Sequence, residues 1–132
     1  ESSIVETLQR VWSREFNVTA IAHRVPVVCG SLASLLVELY SVKDAADVND
    51  LLRQSVGPYL ALRDDPMVSS DVIGDPHSAV IDTTCTTILP RHHFSEMVNR
   101  VRLEAFYDNE WGHACRLADL AKLMGDKVRG SA

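Results

Sequence analysis

The segment NRVRLEAFYD, residues 99–108, alternates cleanly between apolar and polar side chains. Val101, Leu103 and Ala105 fall on one face, and Arg100, Arg102 and Glu104 fall on the other. Because successive side chains of a strand point to opposite faces, this pattern predicts an antiparallel strand with one buried and one wet face. The chain must therefore fold around a sheet that has a second layer against one side.

Other segments supply the remaining elements. Periodicity and turn residues predict a first helix that is capped by Ser2 or Ser3, carries an apolar stripe from Ile4 to Trp12 and ends at Asn17. They also predict strands at VTAIAHRV, SLASLLVELYS and SAVIDTTCTTIL, and a second helix at KDAADVNDLLRQSV. The inward residues of the second helix would be Ala45, Val48, Leu51 and Leu52. Residues 57–76 are rich in glycine and proline and are predicted as turns. The order α-β-β-α-β-β-α lacks regular βαβ alternation, so we expect an α+β fold. Its antiparallel or mixed β-sheet would be covered by helices on one face.

The last segment, EWGHACRLADLAKLMGDKV, predicts a helix. Ala114, Leu117, Ala121 and Met124 would line one apolar face, which we expect to pack inward. Gly125 is predicted to end this helix, because glycine readily adopts the left-handed conformation found after helix ends.

Composition narrows the functional classes. The chain has 132 residues, 46% hydrophobic and 23% charged, which fits a single globular domain over residues 1–132. Its net charge of −5 argues against a nucleic-acid partner, and its apolar runs are too short for a membrane helix. Neither the three cysteines nor the five histidines show ligand spacing, so no metal site is expected.

Three segments, in order, resemble one family. FYDNEWGHACRLADLAKLM, AHRVP and VSSDVIGDPHSAVID are similar to C-terminal motifs of the glyceraldehyde-3-phosphate dehydrogenase family. The resemblance covers nearly the whole chain and implies the C-terminal half of that family's catalytic domain. The nucleotide-binding domain and the nucleophile segment of the family have no counterpart in these residues.

The resemblance also implies binding residues. Arg24, in HRVP, matches the family arginine that grips the substrate phosphate, and a guanidinium fork suits phosphate oxygens. Asn109 matches the asparagine that hydrogen-bonds the nicotinamide carboxamide, and His113 takes the place of a tyrosine that packs near the same ring. The alternatives are structural: a salt-bridged strand-end arginine, an asparagine capping the last helix, and a half-exposed helix histidine.

The stretch DTTCTTILP, residues 82–90, looks like a catalytic thiol motif but lies in the wrong place for this family. The family nucleophile precedes the arginine motif, whereas Cys85 follows it within a predicted strand. Without a helix N-terminus or histidine to lower its pKa, this thiol is predicted to be structural. No catalytic residue is therefore assigned.

Three functions remain open from the sequence. The first is the C-terminal portion of an NAD(P)-dependent phosphorylating aldehyde dehydrogenase, inactive alone and without tight binding of NAD or NADP. The second is a truncated, non-catalytic homologue that acts as a structural or interaction module. The third is a two-chain enzyme in which another polypeptide brings the nucleotide-binding domain and the cysteine. The resemblance implies a phosphorylated small aldehyde as substrate and a homo-oligomer or partner chain on the sheet face. The three widely spaced cysteines, taken as reduced thiols, favour a cytoplasmic or organelle-matrix location.

Overall fold

The computed structural model describes residues 25–40, 42–89 and 98–130, together with Val11. In these ranges the strands are β1 (Ser31–Tyr40), β2 (Leu60–Arg63), β3 (Ala79–Leu89) and β4 (Val98–Tyr107). The helices are α1 (Ala45–Arg53), α2 (Trp111–Gly130) and a single 3-10 turn at Ser69–Val72. The arrangement confirms the predicted α+β class.

The four strands form one mixed sheet in the order β1-β4-β3-β2. β4 pairs antiparallel with both β1 and β3, whereas β2 runs parallel to β3. The β3–β4 register shifts between Asp82 and Thr87, where the ladder is irregular. β4 and β3 are thus the two central strands, each paired on both sides, and β1 and β2 are the edges.

Each face of the sheet has its own apolar cluster. On one face the buried residues are Val42, Val48, Val101 and Leu103. On the other face they are Met67, Val72, Val80 and Phe106. The predicted inward residues of β4, Val101, Leu103 and Ala105, are all buried, and the first two belong to the first cluster. The second cluster lies under the link between β2 and β3, which the sequence assigned to turns.

Helix α1 is set in place by its N-terminus and its apolar face. Asp44 is the N-cap, and its Oδ1 accepts a hydrogen bond from the N–H of Asp47 at 3.0 Å. Val48 is buried against the sheet, and Leu52 is partly buried beside it. Leu51, also predicted to face inward, is exposed instead, because the face that meets the sheet is narrower than expected.

Helix α2 differs from its prediction in two respects. It continues through Gly125 to Gly130, so the prediction that Gly125 ends the helix was wrong. The residues after Gly125 include good helix formers, and these extend the helix. The predicted inward face, which includes Leu117 and Met124, is exposed. The helix leaves the sheet after its first turns, and the described residues do not cover this face.

Two more differences concern the segment 57–76. It contains strand β2 and the 3-10 turn, neither of which was predicted. A four-residue strand on the edge of a sheet has too few positions to show a period.

Of the first predicted helix, the structure describes Val11 alone, which is helical and exposed. The predicted strand VTAIAHRV lies outside the described residues, apart from Val25.

Candidate functional site

A pocket of about 310 Å³ lies where β4 ends and α2 begins. It is lined by Ser78, Tyr107, Asp108, Asn109, Gly112, His113 and Arg116. These residues come from the end of one strand, the first two turns of a helix and the start of the neighbouring strand β3. Two residues predicted from the sequence to bind a cofactor, Asn109 and His113, therefore meet in one cavity.

Asp108 holds the start of α2 in place. Its Oδ1 accepts hydrogen bonds from the N–H groups of Glu110 and Trp111, both at 2.8 Å. Its Oδ2 accepts from the N–H of Gly74 at 2.8 Å, and Cys29 Sγ donates to Oδ1 at 3.3 Å. These donors, the Gly74 N–H above all, hold the pKa of the Asp108 carboxyl far below its usual range.

Gly112 lets the helix approach β3 closely. A Cβ atom at this position would lie 2.9 Å from the carbonyl oxygen of His77, closer than ordinary packing allows. The sequence contains Gly112 for a steric reason, since a larger residue would push the first turn of α2 away from the residues before β3. The floor of the pocket depends on this contact.

Asn109 presents its side-chain amide at the mouth of the pocket. It is exposed, and its Oδ1 accepts a hydrogen bond from Ser31 Oγ at 3.2 Å. The alternative role for Asn109, capping the last helix, is wrong because the neighbouring Asp108 caps it. An amide oriented in this way offers both a donor and an acceptor to a ligand.

His113 lies on the first turn of α2 and is exposed at the pocket. It is four residues beyond Asn109, so both residues are on the same side of the helix start. A flat imidazole ring next to an amide could contact a planar, amide-bearing group.

Arg116 is a pocket residue that the sequence reasoning missed. Its guanidinium lies over the ring of Tyr59 at 4.5 Å from the ring centroid, and its Nη1 donates to Ser78 Oγ at 3.1 Å. Nη2 forms an ion pair with Asp119 at 2.9 Å. The available signal was spacing, because Arg116 is one helical turn after His113 and therefore shares its face.

Arg24, the predicted phosphate-binding residue, lies outside the described residues. Its assignment stays a prediction from the sequence.

Cys85 has the surroundings of a structural thiol. It is partly buried in β3, and its Sγ donates to Asp82 Oδ2 at 3.5 Å. Burial raises the pKa of this thiol above its ordinary value, and the hydrogen bond to Asp82 raises it further. A higher pKa reduces the thiolate fraction, which is the opposite of what a nucleophile requires.

Within the described ranges, no group of three or more His, Cys, Asp or Glu side chains is arranged to hold a metal ion. None of the helices in the part of the chain that the structure describes combines the length and the apolar character needed to cross a membrane.

The fold and the pocket together define a class: an α+β domain whose mixed sheet leads into a helix with an amide and an imidazole at its start. Residues 4–109 match the family described as "Glyceraldehyde 3-phosphate dehydrogenase, C-terminal domain". This match spans well over half of the chain and ends at Asn109. The chain belongs to the glyceraldehyde-3-phosphate dehydrogenase family and corresponds to its C-terminal domain, which confirms the resemblance.

Several curated proteins are similar to the chain. The glyceraldehyde-3-phosphate dehydrogenase of Mycolicibacterium smegmatis is 37% identical over 111 residues, which is 81% of this chain and 30% of that protein. Glyceraldehyde-3-phosphate dehydrogenase 2 of Bacillus subtilis is 35% identical over 113 residues, or 83% of this chain and 31% of that protein. The chain thus spans about three tenths of the length of these relatives.

Proposed function

We propose that the chain is the C-terminal portion of an NAD(P)-dependent phosphorylating aldehyde dehydrogenase of the glyceraldehyde-3-phosphate dehydrogenase type. In this proposal it is inactive alone and supplies part of the nicotinamide site. The observation that carries the proposal is the pocket in which Asn109 and His113 lie together, directly after the family match. A reacting thiol and the bulk of the nucleotide site would come from the rest of the whole protein.

The pocket residues fit a nicotinamide. When bound, this group supplies hydride transfer, which no side chain can perform. Its carboxamide needs both an acceptor and a donor, and the Asn109 amide has both, with Oδ1 held by Ser31 Oγ. The His113 ring offers a flat surface for a heteroaromatic ring. These two residues would orient the ring, while the helix start held by Asp108 keeps them in place.

The partners and location belong to the same proposal. The substrate would be a phosphorylated small aldehyde whose phosphate is bound by Arg24, in the cytoplasm or an organelle matrix. A second copy or a partner chain would cover the sheet face on which Leu32 and Leu36 lie opposite Phe106 and Arg102. Both leucines are more than half exposed, which supports a covered face in the assembled protein.

A titration with nicotinamide mononucleotide tests the pocket. We expect weak, roughly millimolar binding by the chain, because much of the contact surface is missing. Chemical-shift changes should centre on Asn109 and His113. Asn109→Ala should weaken binding about fivefold, as expected for the loss of one or two hydrogen bonds. Gln54→Ala removes an exposed amide that does not line the pocket and should leave binding unchanged. Equal dissociation constants for the two variants would contradict the proposal.

An activity assay tests the assignment of Cys85. The chain alone should not oxidise glyceraldehyde 3-phosphate with NAD or NADP, because Cys29 and Cys85 donate to carboxylates, which disfavour the thiolate. Turnover that disappears with Cys85→Ser would show that this cysteine is a nucleophile and that the proposal is wrong.

A second candidate function, a non-catalytic interaction module, is favoured by the exposed apolar residues of α2, among them Leu117 and Met124. The mass of the intact native protein separates the two. An additional nucleotide-binding region supports the enzyme, and a mature protein of this length supports the module.

A further inference from the structure

Arg116 joins helix α2 to a corner of the sheet. Its guanidinium contacts the Tyr59 ring and Ser78 Oγ, which belong to the segments just before β2 and β3. Those two segments are already linked, because the Tyr59 carbonyl accepts hydrogen bonds from the N–H groups of Ser78 and Ala79 at 2.8 and 3.2 Å. Arg116 therefore contacts two segments that backbone hydrogen bonds already hold together.

The guanidinium is itself restrained. Asp119, one turn further along α2, binds Nη2 at 2.9 Å, while Nη1 faces Ser78. The Nε atom is buried and has no hydrogen-bond partner among the described residues. A charged N–H group in that position is costly unless something offsets it, and the face of an aromatic ring attracts a cation. The stacking on Tyr59 therefore explains why the half-buried side chain keeps this orientation.

Apart from these contacts, few interactions with the other described residues hold α2 in position. Most of its later apolar side chains, among them Leu117, Leu120 and Met124, are exposed. The helix is held at its start by the Asp108 hydrogen bonds, by the close contact of Gly112 and by Arg116. Of these, Arg116 acts furthest along the helix, so it controls the angle at which the helix leaves the sheet.

We propose that Arg116 is a positioning residue of the pocket: its contacts with Tyr59 and Ser78 fix the direction of α2 and, through it, the places of Asn109 and His113. Arg116 touches no ligand in this proposal. Only the choice of a nicotinamide as the ligand probe rests on the proposed function.

Arg129 provides a matched control. Like Arg116, it forms a 2.9 Å ion pair with an aspartate three residues away on the same helix, here Asp126. Its side chain is 78% exposed, compared with 29% for Arg116. The two arginines thus share the local ion pair, and Arg116 adds the contacts across to the sheet.

The experiment compares Arg116→Met with Arg129→Met in the full chain by amide hydrogen exchange and NMR. We expect Arg116→Met to speed exchange of the first-turn amides of α2 by roughly three- to tenfold, with shifted resonances of Asn109 and His113. Arg129→Met should change neither signal. Amides of β4 at Val101 and Leu103 should keep their exchange rates in both, which shows that the fold is intact. Identical behaviour of the two variants at Asn109 and His113 would overturn the proposal.

Tyr59 gives a second test that holds if Arg116→Met fails to fold. Tyr59→Phe keeps the ring under the guanidinium and should behave like the wild type, whereas Tyr59→Leu should reproduce the resonance shifts of Asn109 and His113. Equal resonance shifts from both Tyr59 variants would contradict the role of the ring.

A titration with nicotinamide mononucleotide separates this inference from the proposed function. Weaker binding by Arg116→Met and unchanged binding by Arg129→Met supports both. If the wild type does not bind, the proposed function fails, and the exchange and resonance data still decide the role of Arg116. If all variants bind equally, the inference fails and the proposed function stands.

Discussion

The two helices of the described structure are attached to the same sheet by different means. Helix α1 has nine residues, and it buries Val48 and part of Leu52 in an apolar cluster with Val101 and Leu103. Helix α2 has twenty residues, exposes most of its apolar side chains and is attached mainly through polar groups at its first turns. Length is therefore a poor guide to which helix belongs to the core.

The contacts that should stabilise the fold and the contacts that shape the candidate site therefore lie in different parts of the structure. Apolar burial is the larger source of free energy, so the α1 side of the sheet should determine whether the chain folds. Directional hydrogen bonds and close contacts contribute less but define geometry, and they are concentrated where the candidate binding residues lie. Three changes test this division, from the largest effect to the smallest.

The largest effect is expected from Leu103→Ala. Leu103 is 8% exposed in the cluster beneath α1, whereas Leu120 on α2 is 52% exposed. Truncating the buried leucine should lower the free energy of unfolding by about 3 kcal/mol, since it leaves a cavity. Leu120→Ala should change it by less than about 0.5 kcal/mol. Urea unfolding measures both, and a comparable loss for Leu120→Ala would show that α2 belongs to the core after all.

The second effect should have opposite signs at two glycines of α2. Gly112→Ala places a Cβ 2.9 Å from the His77 carbonyl oxygen, whereas at Gly125 the nearest atom is the end of the Arg129 side chain at 3.9 Å. We expect a loss of about 2 kcal/mol at Gly112 from overpacking. A gain of roughly 0.5–1 kcal/mol is expected at Gly125 from helix propensity. Thermal unfolding decides this, and stabilisation by both substitutions would mean that the helix start is not closely packed.

The smallest of the three effects is expected from Asp108→Asn, because the asparagine amide keeps an acceptor oxygen. The loss of stability should be greatest near neutral pH and should shrink on acidification. Because the folded pKa of Asp108 is lowered, its charge stabilises the fold above the unfolded pKa of ~3.9. That contribution is lost as the pH falls towards the folded value. Wild type should therefore lose more stability than Asp108→Asn between about pH 5 and about pH 3.

Asp126→Asn is the matched control for this pH series, since Asp126 pairs with Arg129 on the exposed part of α2. The urea midpoints of Asp126→Asn should fall on acidification by as much as those of the wild type. Parallel curves for wild type and Asp108→Asn would contradict the role assigned to the charge.

Much of the fold was predictable because the strands that make the core have a clear period. β4 shows alternation, and β3 is rich in β-branched residues, so both were found. β2 was not predicted because its four residues are too few to show a period. The predicted burial of the apolar stripe of α2 was wrong, because such a stripe predicts a covered face without specifying what covers it. Composition cannot reveal which surface, if any, covers such a stripe.

The site was predictable where the family motif and the local spacing agree. Asn109 and His113 come from one motif, and the structure places them in one pocket. Arg116 was missed since its partners, Tyr59 and Ser78, are 57 and 38 positions away along the chain, and no local pattern connects them (116 − 59 and 116 − 78). Long-range polar contacts of this kind become visible only in three dimensions.

The hydrogen bonds of Asp108 have a consequence for the order of folding. They join Cys29, Gly74 and the start of α2, and the bond from Cys29 lies beside the strand pair in which Ser31 is opposite Tyr107. Closing a loop of nearly eighty residues carries an entropic cost that local contacts do not, so this pairing should form late. The bond from Cys29 to Asp108 and the bond from Ser31 Oγ to Asn109 Oδ1 would then form among the last events of folding, and newly made chains would fix the Asn109 amide only once β1 had joined the sheet.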